Sequence, residues 1–478
     1  RDRLRSRGLG DVYKRQLKTQ IIDILKSWKT EESTVNSTEE LIKWIQNLNE
    51  TTHVRIEETR ITDDTFWFYD DYEGEILNRK RSFFSIKGIR QFVNGKFHSE
   101  QPVIIQPEIG YLGIICKKID GVMHFLMQAK IEPGNINCVQ ISPTIQATKS
   151  NFLRAHGGSL PKYFEYFEHS AQYNVIYDQI QSEQSSRFFR KRNRNMIMEV
   201  TDDIEIYSNF RWMTLGQIKK LMEIDNLVNM DTRTVLSGIP VTTQNFNADE
   251  LKEIEQIIGS KELFQSMFNE SQSVDLRNMY QYINDYKMFN DVKRTTIPLF
   301  ELVDWNVSDK GVDCTKNANF NVRFYDIEIS GREVQNWVQP LFKAIGKAEF
   351  SLMYSDDSGV REYLVKAVPE IGTFDKVEIG PTVQLEPSHR NEDDDPVERY
   401  YHELLEKKHK ADIDVMLSEE GGRFYHEENR NTIFKVNKKD VEITDKYFWV
   451  NYSTLNMLIQ VNNCINIQLR NLLSLLKL

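Results

Sequence analysis

Apolar and polar residues alternate from Met123 to Glu132. Met123, Phe125, Met127, Ala129 and Ile131 share one parity; His124, Gln128, Lys130 and Glu132 share the other. A second alternation sets Val139, Ile141, Ile145 and Ala147 against Gln140, Ser142, Thr144, Gln146 and Thr148. Period two predicts strands with one apolar and one polar face. Pro133-Gly134-Asn135 between them is turn chemistry. The polar faces carry amides, hydroxyls and few charges, groups that both donate and accept hydrogen bonds. They suit a sugar or a nucleobase, although an ordinary exposed sheet face would read the same way. Helical spacing of Ile21, Ile22, Leu25 and Trp28, then of Leu41 to Leu48 behind Ser37-Thr38-Glu39-Glu40, predicts helix over 17–49. Phe83, Phe84, Ile86 and Ile89 suggest a strand, and Phe210 to Leu236 reads as helix.

The pattern occurs twice. With a shift of 238, Gly121–Ser150 lies without gaps on Gly359–Ser388, and twelve of thirty positions are identical. Chance would give about two. With a shift of 236, Ser182–Val200 lies on Ser418–Val436 with nine of nineteen identical. Near a shift of 237, Trp212 meets Trp449, Asn226 meets Asn463 and Arg233 meets Arg470. Each copy reads as helix, strands, turn, strand and helices, which predicts an α+β fold with a mixed sheet flanked by helices. The join falls near Ser237–Asn247, giving repeats over 17–240 and 241–478. Residues 1–16 carry six Lys or Arg, no apolar core and no initiator Met, and read as a non-native or disordered leader.

Composition narrows the classes. At 478 residues more than one core is expected. The net charge of −10 argues against a general nucleic-acid binder but leaves room for a local cationic pocket. No apolar run approaches the ~20 residues of a membrane helix. Four scattered cysteines fit a reducing cytoplasm and offer neither a zinc site nor a disulfide framework.

QPEIGYLG, FLMQAKIEPGN and SPTIQATKSNFLRAHGG, with WVQP and EIGPTVQ in the second copy, resemble the NDP-hexose 2,3-dehydratase family. The resemblance covers residues 17–478. It implies a homodimer whose subunits each hold two Nudix-like domains. It implies a substrate such as dTDP-4-keto-6-deoxyglucose, no metal or nicotinamide cofactor, and a separate downstream NADPH-dependent 3-ketoreductase that captures a labile product. The Nudix metal box is absent: Gly331-Arg332-Glu333-Val334 holds a fragment, but QNWVQP follows where paired glutamates should stand. A metal-dependent phosphohydrolase is thereby disfavoured. A non-catalytic sugar-nucleotide sensor stays open as the rival of another class.

Comparison of the copies ranks the candidates. Glu132/Glu370, Thr144/Thr382, Gln146/Gln384 and Arg187/Arg423 are kept; Gln128/Lys366, Lys130/Val368, Thr148/Glu386 and Asn151/His389 differ. The first copy keeps the denser polar set, so its pocket is expected to be active and the second degenerate. The chemistry implied needs a base, an acid and a donor to an enolate. His156, Glu132 and Lys130 are the catalytic candidates. Gln106, Glu108, Gln128, Gln140, Ser142, Thr144, Gln146, Thr148, Asn151, Arg154 and Arg187 are the candidate substrate ligands. Lys366, Glu370, Thr382, Gln384 and Arg423 are assigned to the second pocket.

Overall fold

The computed structural model describes residues 18–62, 65–149, 160–241, 246–268, 275–331, 334–389 and 395–478. The two runs read as helical within 17–49 are two helices, the second starting at the expected Ser37–Glu40 cap. Residues 18–29 bury Ile21, Leu25 and Trp28. Thr38–Thr51 begins at a capping box, in which Ser37 accepts from the Glu40 N–H and Glu40 returns the bond to the Ser37 N–H.

The alternating runs form the middle of a seven-stranded mixed sheet. Its order is Asn174–Ser182, Arg192–Glu199, Gly110–Ile119, Val122–Ile131 and Phe210–Thr214. Val139–Ser142 joins the edge of Val122–Ile131, and Ile145–Ala147 that of Gly110–Ile119. Only Arg192–Glu199 runs parallel to its neighbour Gly110–Ile119. A second seven-stranded sheet repeats this order with Ile413–Ser418, Glu428–Lys435, Glu349–Ser355, Glu362–Val368 and Tyr447–Asn451. It has the same single parallel pair, between Glu428–Lys435 and Glu349–Ser355. Helices pack against both sheets, and the chain is α+β. Among the described residues no helix is long and apolar enough to cross a membrane.

Two expectations are corrected. Phe210–Leu236 is not one helix. Phe210–Thr214 is a strand paired with His124–Gln128, because Phe210, Trp212 and Met213 fill the sheet edge and core. Thr214 then caps the helix Leu215–Leu221, and Asn229 caps Met230–Leu236 after a left-handed Asn226. The second alternation is also two strands rather than one, broken at Pro143-Thr144.

Two smaller sheets tie the halves together by exchanging strands. Val54–Thr59, early in the chain, pairs with Phe320–Ile329. Val292–Ile297, from the C-terminal half, pairs with Ser85–Val93. The turns after the central strands interlock as well. The Gly134 N–H donates to the Gly421 carbonyl at 2.7 Å, and the His426 N–H donates to the Gly134 carbonyl at 2.9 Å. Reciprocally, the Gly372 N–H donates to the Ser185 carbonyl and the Arg190 N–H to the Gly372 carbonyl, both at 2.8 Å. A Cβ on Gly134 would lie 1.6 Å from the Phe424 carbonyl oxygen, and one on Gly372 1.8 Å from that of Phe188. Only glycine allows this approach.

Buried polar groups complete the interface. Arg233 and Arg470, each 1% exposed, reach across it to the carbonyls of Ser418 and Ser182 respectively. Gln140 donates to the Ser418 hydroxyl at 2.7 Å, and the matching Glu378 accepts from the Ser182 hydroxyl at 2.8 Å. Burial pushes the Glu378 carboxyl from 4.5 up to about 7.

Two predictions follow from this interface. A folded-state value above the unfolded one means that the Glu378 contribution is full below pH 4.5 and is lost as pH rises through about 7. Glu378→Gln, which copies Gln140, should flatten the fall in stability between those limits by an amount on the order of 2–3 kcal/mol, read by urea titration across pH. Gly134→Ala and Gly372→Ala should each cost more than about 2 kcal/mol, because backbone rather than a flexible side chain must yield; thermal unfolding of the two variants measures it.

Candidate active site

A cavity of about 450 Å³ lies between the halves. The N-terminal half supplies Gln106, Lys130, Glu132, Gln146, Thr148, Glu183, Lys191 and Asp231 to its wall. Phe66, Trp67 and Phe83 close one side, and Trp337, Gln339, Glu420 and Arg423 come from the C-terminal half.

Strand ends aim the central group. Lys130 is the penultimate residue of Val122–Ile131, and Glu132 follows the strand. Lys130 Nζ lies 3.1 Å from Glu132 Oε1, and Gln146 Nε2 donates to the same oxygen at 3.0 Å. Gln146 is itself fixed by Asn229, which donates to its Oε1 at 3.2 Å while capping the helix Met230–Leu236. Asp231 stands in the first turn of that helix. Beyond it, Asn193 donates to Glu183 at 2.6 Å, and Lys191 Nζ donates to the Glu108 carbonyl at 2.6 Å. Gln106 donates to the Glu108 carboxylate at 2.9 Å and accepts from Arg423 Nη2 at 3.1 Å.

Crowding of carboxyls sets the electrostatics. Burial, and then the charges of Glu183, Glu420 and Glu132, push the Asp231 carboxyl well above the carboxylate range. Burial also raises Glu183 and Glu420. Lys191, buried beside Arg423, is pulled down from 10.5 to about 8, chiefly by desolvation. The Asp231 carboxyl therefore favours its protonated form more than an ordinary aspartate does, in a cavity that also holds a lysine-paired carboxyl.

The cavity takes Lys130, Glu132, Gln106, Gln146 and Thr148 from the expected set. His156, Asn151 and Arg154 lie outside the described residues. Gln128, Gln140, Ser142 and Thr144 do not line it. Thr144 is a brace: its hydroxyl accepts from the Ile115 N–H at 2.9 Å and donates to the Leu126 carbonyl. Thr382 makes the same pair of bonds to Met353 and Leu364. Ser142 accepts from Asn229 at 2.9 Å, and Glu108 is tied to the cavity through Gln106 and Lys191. Glu370 and Gln384 repeat the Glu132–Gln146 bond at 2.9 Å, without a lysine, since Val368 replaces Lys130. Lys366 is spent on Glu398 at 2.9 Å.

The two kept arginines are exchanged relative to the sequence assignment. Arg423, expected in the second pocket, lines the first. Arg187, expected in the first, lies against the second half, 3.2 Å from Glu386 and 3.7 Å from Glu427. The physical reason is the interlock: each half's arginine follows the loop that receives the other half's glycine turn. Sequence reasoning missed Glu183, Lys191, Asp231 and Glu420. The repeat held the signal for two of them, since the same shifts set Lys191 on Glu427 and Asp231 on Gln468.

A carboxyl raised by burial and a lysine-paired carboxyl share one cavity of mixed polar and aromatic lining, an arrangement suited to proton transfer. The family model of NDP-hexose 2,3-dehydratases matches residues 38–239 and 276–476. The chain belongs to this family and is a hydro-lyase of sugar nucleotides. It is similar to the dTDP-4-dehydro-6-deoxy-alpha-D-glucopyranose 2,3-dehydratase of Streptomyces violaceoruber, 35% identical over 438 residues, 90% of this chain and 95% of that protein. Enzymes of the same name from Amycolatopsis orientalis and Saccharopolyspora spinosa are 33% and 36% identical, over 91% and 85% of this chain and 89% and 85% of their own lengths.

Thr144→Val should separate bracing from ligation. It leaves a buried N–H and carbonyl unsatisfied, so stability should fall by about 2–4 kcal/mol, while kcat/KM at a temperature where the variant is folded stays within about 3-fold of the parent.

Proposed function

We propose that the protein dehydrates dTDP-4-keto-6-deoxyglucose, the sugar nucleotide in the names of all three relatives, to the 3,4-diketo-2,6-dideoxy product. The observation that carries the reading is the Gln146–Glu132–Lys130 array sharing a cavity with Asp231, whose carboxyl is raised by burial and neighbouring carboxylates. The C4 ketone acidifies the C3 hydrogen. Glu132 takes that proton, and the electron pair moves to C4 as an enolate. Lys130 donates to the enolate oxygen. Asp231 protonates the C2 hydroxyl, which leaves as water as the C2–C3 double bond forms. The enol so produced loses its hydroxyl proton, C2 is protonated, and the 3,4-diketone results. No redox partner is consumed, and a separate NADPH-dependent 3-ketoreductase traps the product.

The wider reading is that each repeat, over 17–240 and 241–478, is a Nudix-like domain and that two chains form a homodimer acting in the cytoplasm. The equal strand orders of the two large sheets support the repeat. The cavity in the N-terminal half serves the chemistry, and the equivalent region of the C-terminal half is degenerate. Arg423 is the exception, working in the first cavity rather than the second. His156, in RAHGG, stays a further candidate for proton transfer.

Incubation with the 4-keto sugar nucleotide, with and without the ketoreductase, followed by mass spectrometry, tests the reaction. Loss of one water, trapped as a stable reduced sugar nucleotide only in the coupled mixture, is expected. Return of dTMP and a sugar phosphate would make the protein a phosphohydrolase, and return of unchanged, bound substrate would make it a sensor. Asp231→Asn and Lys130→Met should each lower kcat by about 10²–10⁴-fold, whereas Lys366→Met should not lower it. Because Asp231 acts as an acid, kcat should fall as pH rises through its elevated value, and the pH–rate profile of Asp231→Asn should lack that limb.

A further inference from the structure

The two ends of the Gln146 amide have nearly the same shape, so either could face Glu132: NH2 as a donor or oxygen as an acceptor. The choice is made one residue further out, by Asn229. Its side chain is buried and does not line the cavity. Its Oδ1 accepts from the Thr232 N–H at 2.9 Å and so caps the helix Met230–Leu236. A backbone N–H can only donate, which commits the Asn229 oxygen and turns its NH2 group the other way. There it donates to the Ser142 hydroxyl at 2.9 Å and to Gln146 Oε1 at 3.2 Å. Gln146 is left with Nε2 toward Glu132, to which it donates at 3.0 Å. The Asn229 N–H also donates to the Ile141 carbonyl at 2.9 Å, which ties the cap to the strand Val139–Ser142. The bonds therefore run in one direction, set by a peptide group that cannot be reversed.

We propose that Asn229 is a positioning residue of the dehydration: by holding Gln146 as a donor to Glu132, it keeps that carboxylate oriented and ready to accept a proton. This inference rests on the assignment of Glu132 as the base and adds the residue on which its orientation depends. The C-terminal half keeps the same polarity. The Leu469 N–H donates to Asn466 Oδ1 at 3.0 Å, Asn466 donates to Gln384 at 2.9 Å, and Gln384 donates to Glu370 at 2.9 Å. That half has Val368 where Lys130 stands and Gln468 where Asp231 stands. Asn466 is thus an internal control, with the bonds but without the groups assigned to the chemistry.

Asn229→Ser and Asn229→Asp both keep an oxygen that can cap the helix. Serine removes the amide donor. Aspartate replaces it with an acceptor, which turns the Gln146 amide over and presents its oxygen to Glu132. In the coupled ketoreductase assay Asn229→Ser should lower kcat by about 10- to 100-fold and leave KM within about 3-fold of the parent. Asn229→Asp should in addition move the low-pH limb of kcat to higher pH, since a carboxyl facing an acceptor holds its proton more firmly. The charged groups that act on Glu132, namely Lys130, Asp231, Glu420 and Arg423, are the same in both variants. In a Gln146→Leu background the kcat loss of Asn229→Ser and the limb shift of Asn229→Asp should both vanish, which separates the amide from the added charge. Asn466→Ser and Asn466→Asp should leave kcat and its pH profile at parental values. Parental kcat and an unmoved limb in Asn229 variants with parental circular dichroism overturn the proposal, as does an equal loss in the Asn466 variants or one that persists beside Gln146→Leu. Glu132→Gln keeps the two levels apart: parental kcat there removes the base assignment and Asn229's role with it, whereas a loss there beside unaffected Asn229 variants removes the role of Asn229 alone. If Asn229→Asp does not fold, Asn229→Ser with and without Gln146→Leu decides the matter.

Discussion

The structure depends on a backbone contact made twice. Gly134 presses its peptide onto the loop around Gly421 and His426, and Gly372 presses onto the loop around Ser185 and Arg190. Each turn follows directly on a central strand, so its docking fixes where that strand ends relative to the opposite half. Lys130 and Glu132 sit at one such end. The loops that receive the turns are also those that carry Arg423 and Arg187 across the interface. A side chain at either glycine would force the backbones apart, and with them the wall of a cavity that neither half encloses alone. The exchanged strands Val54–Thr59 and Val292–Ile297 reinforce the clamp by tying each half into a sheet of the other.

Within that frame the cavity concentrates charge. Burial and mutual repulsion raise the carboxyls of Glu183, Asp231 and Glu420. On the proposed reading, the raised carboxyl and the lysine-paired one supply the acid and the base of the dehydration.

The C-terminal half repeats part of this arrangement. Its scaffold keeps the relay from Asn466 to Gln384 to Glu370, bond for bond with that from Asn229 to Gln146 to Glu132. It lacks the lysine, and burial and nearby carboxylates push Glu370 up to about 8. Glu386 and Glu427 then draw Arg187 into internal pairs. Strand order and capping are shared by the two halves; the charge pattern is not.

Period-two alternation determined the central strands, and the Ser37 to Glu40 signature determined a helix start, because both are encoded by neighbours within a few residues. The internal repeat was equally legible and pointed to Lys130 as a specialised residue, since a lysine facing valine at an equivalent site needs no coordinates to be noticed. Phe210–Thr214 misled because its apolar spacing suits a helix, while the open edge of His124–Gln128 is known only once the sheet exists. The same holds for the polar parity of Gln140, Ser142 and Thr144. Whether such side chains face a ligand or satisfy buried backbone depends on what packs over them, and here the opposite half and the capping Asn229 do so. Which arginine serves which cavity was decided wholly by tertiary structure. Arg187 and Arg423 are interchangeable in the sequence, and only the crossing of the two halves sends one to a pair of glutamates and the other to an open cavity.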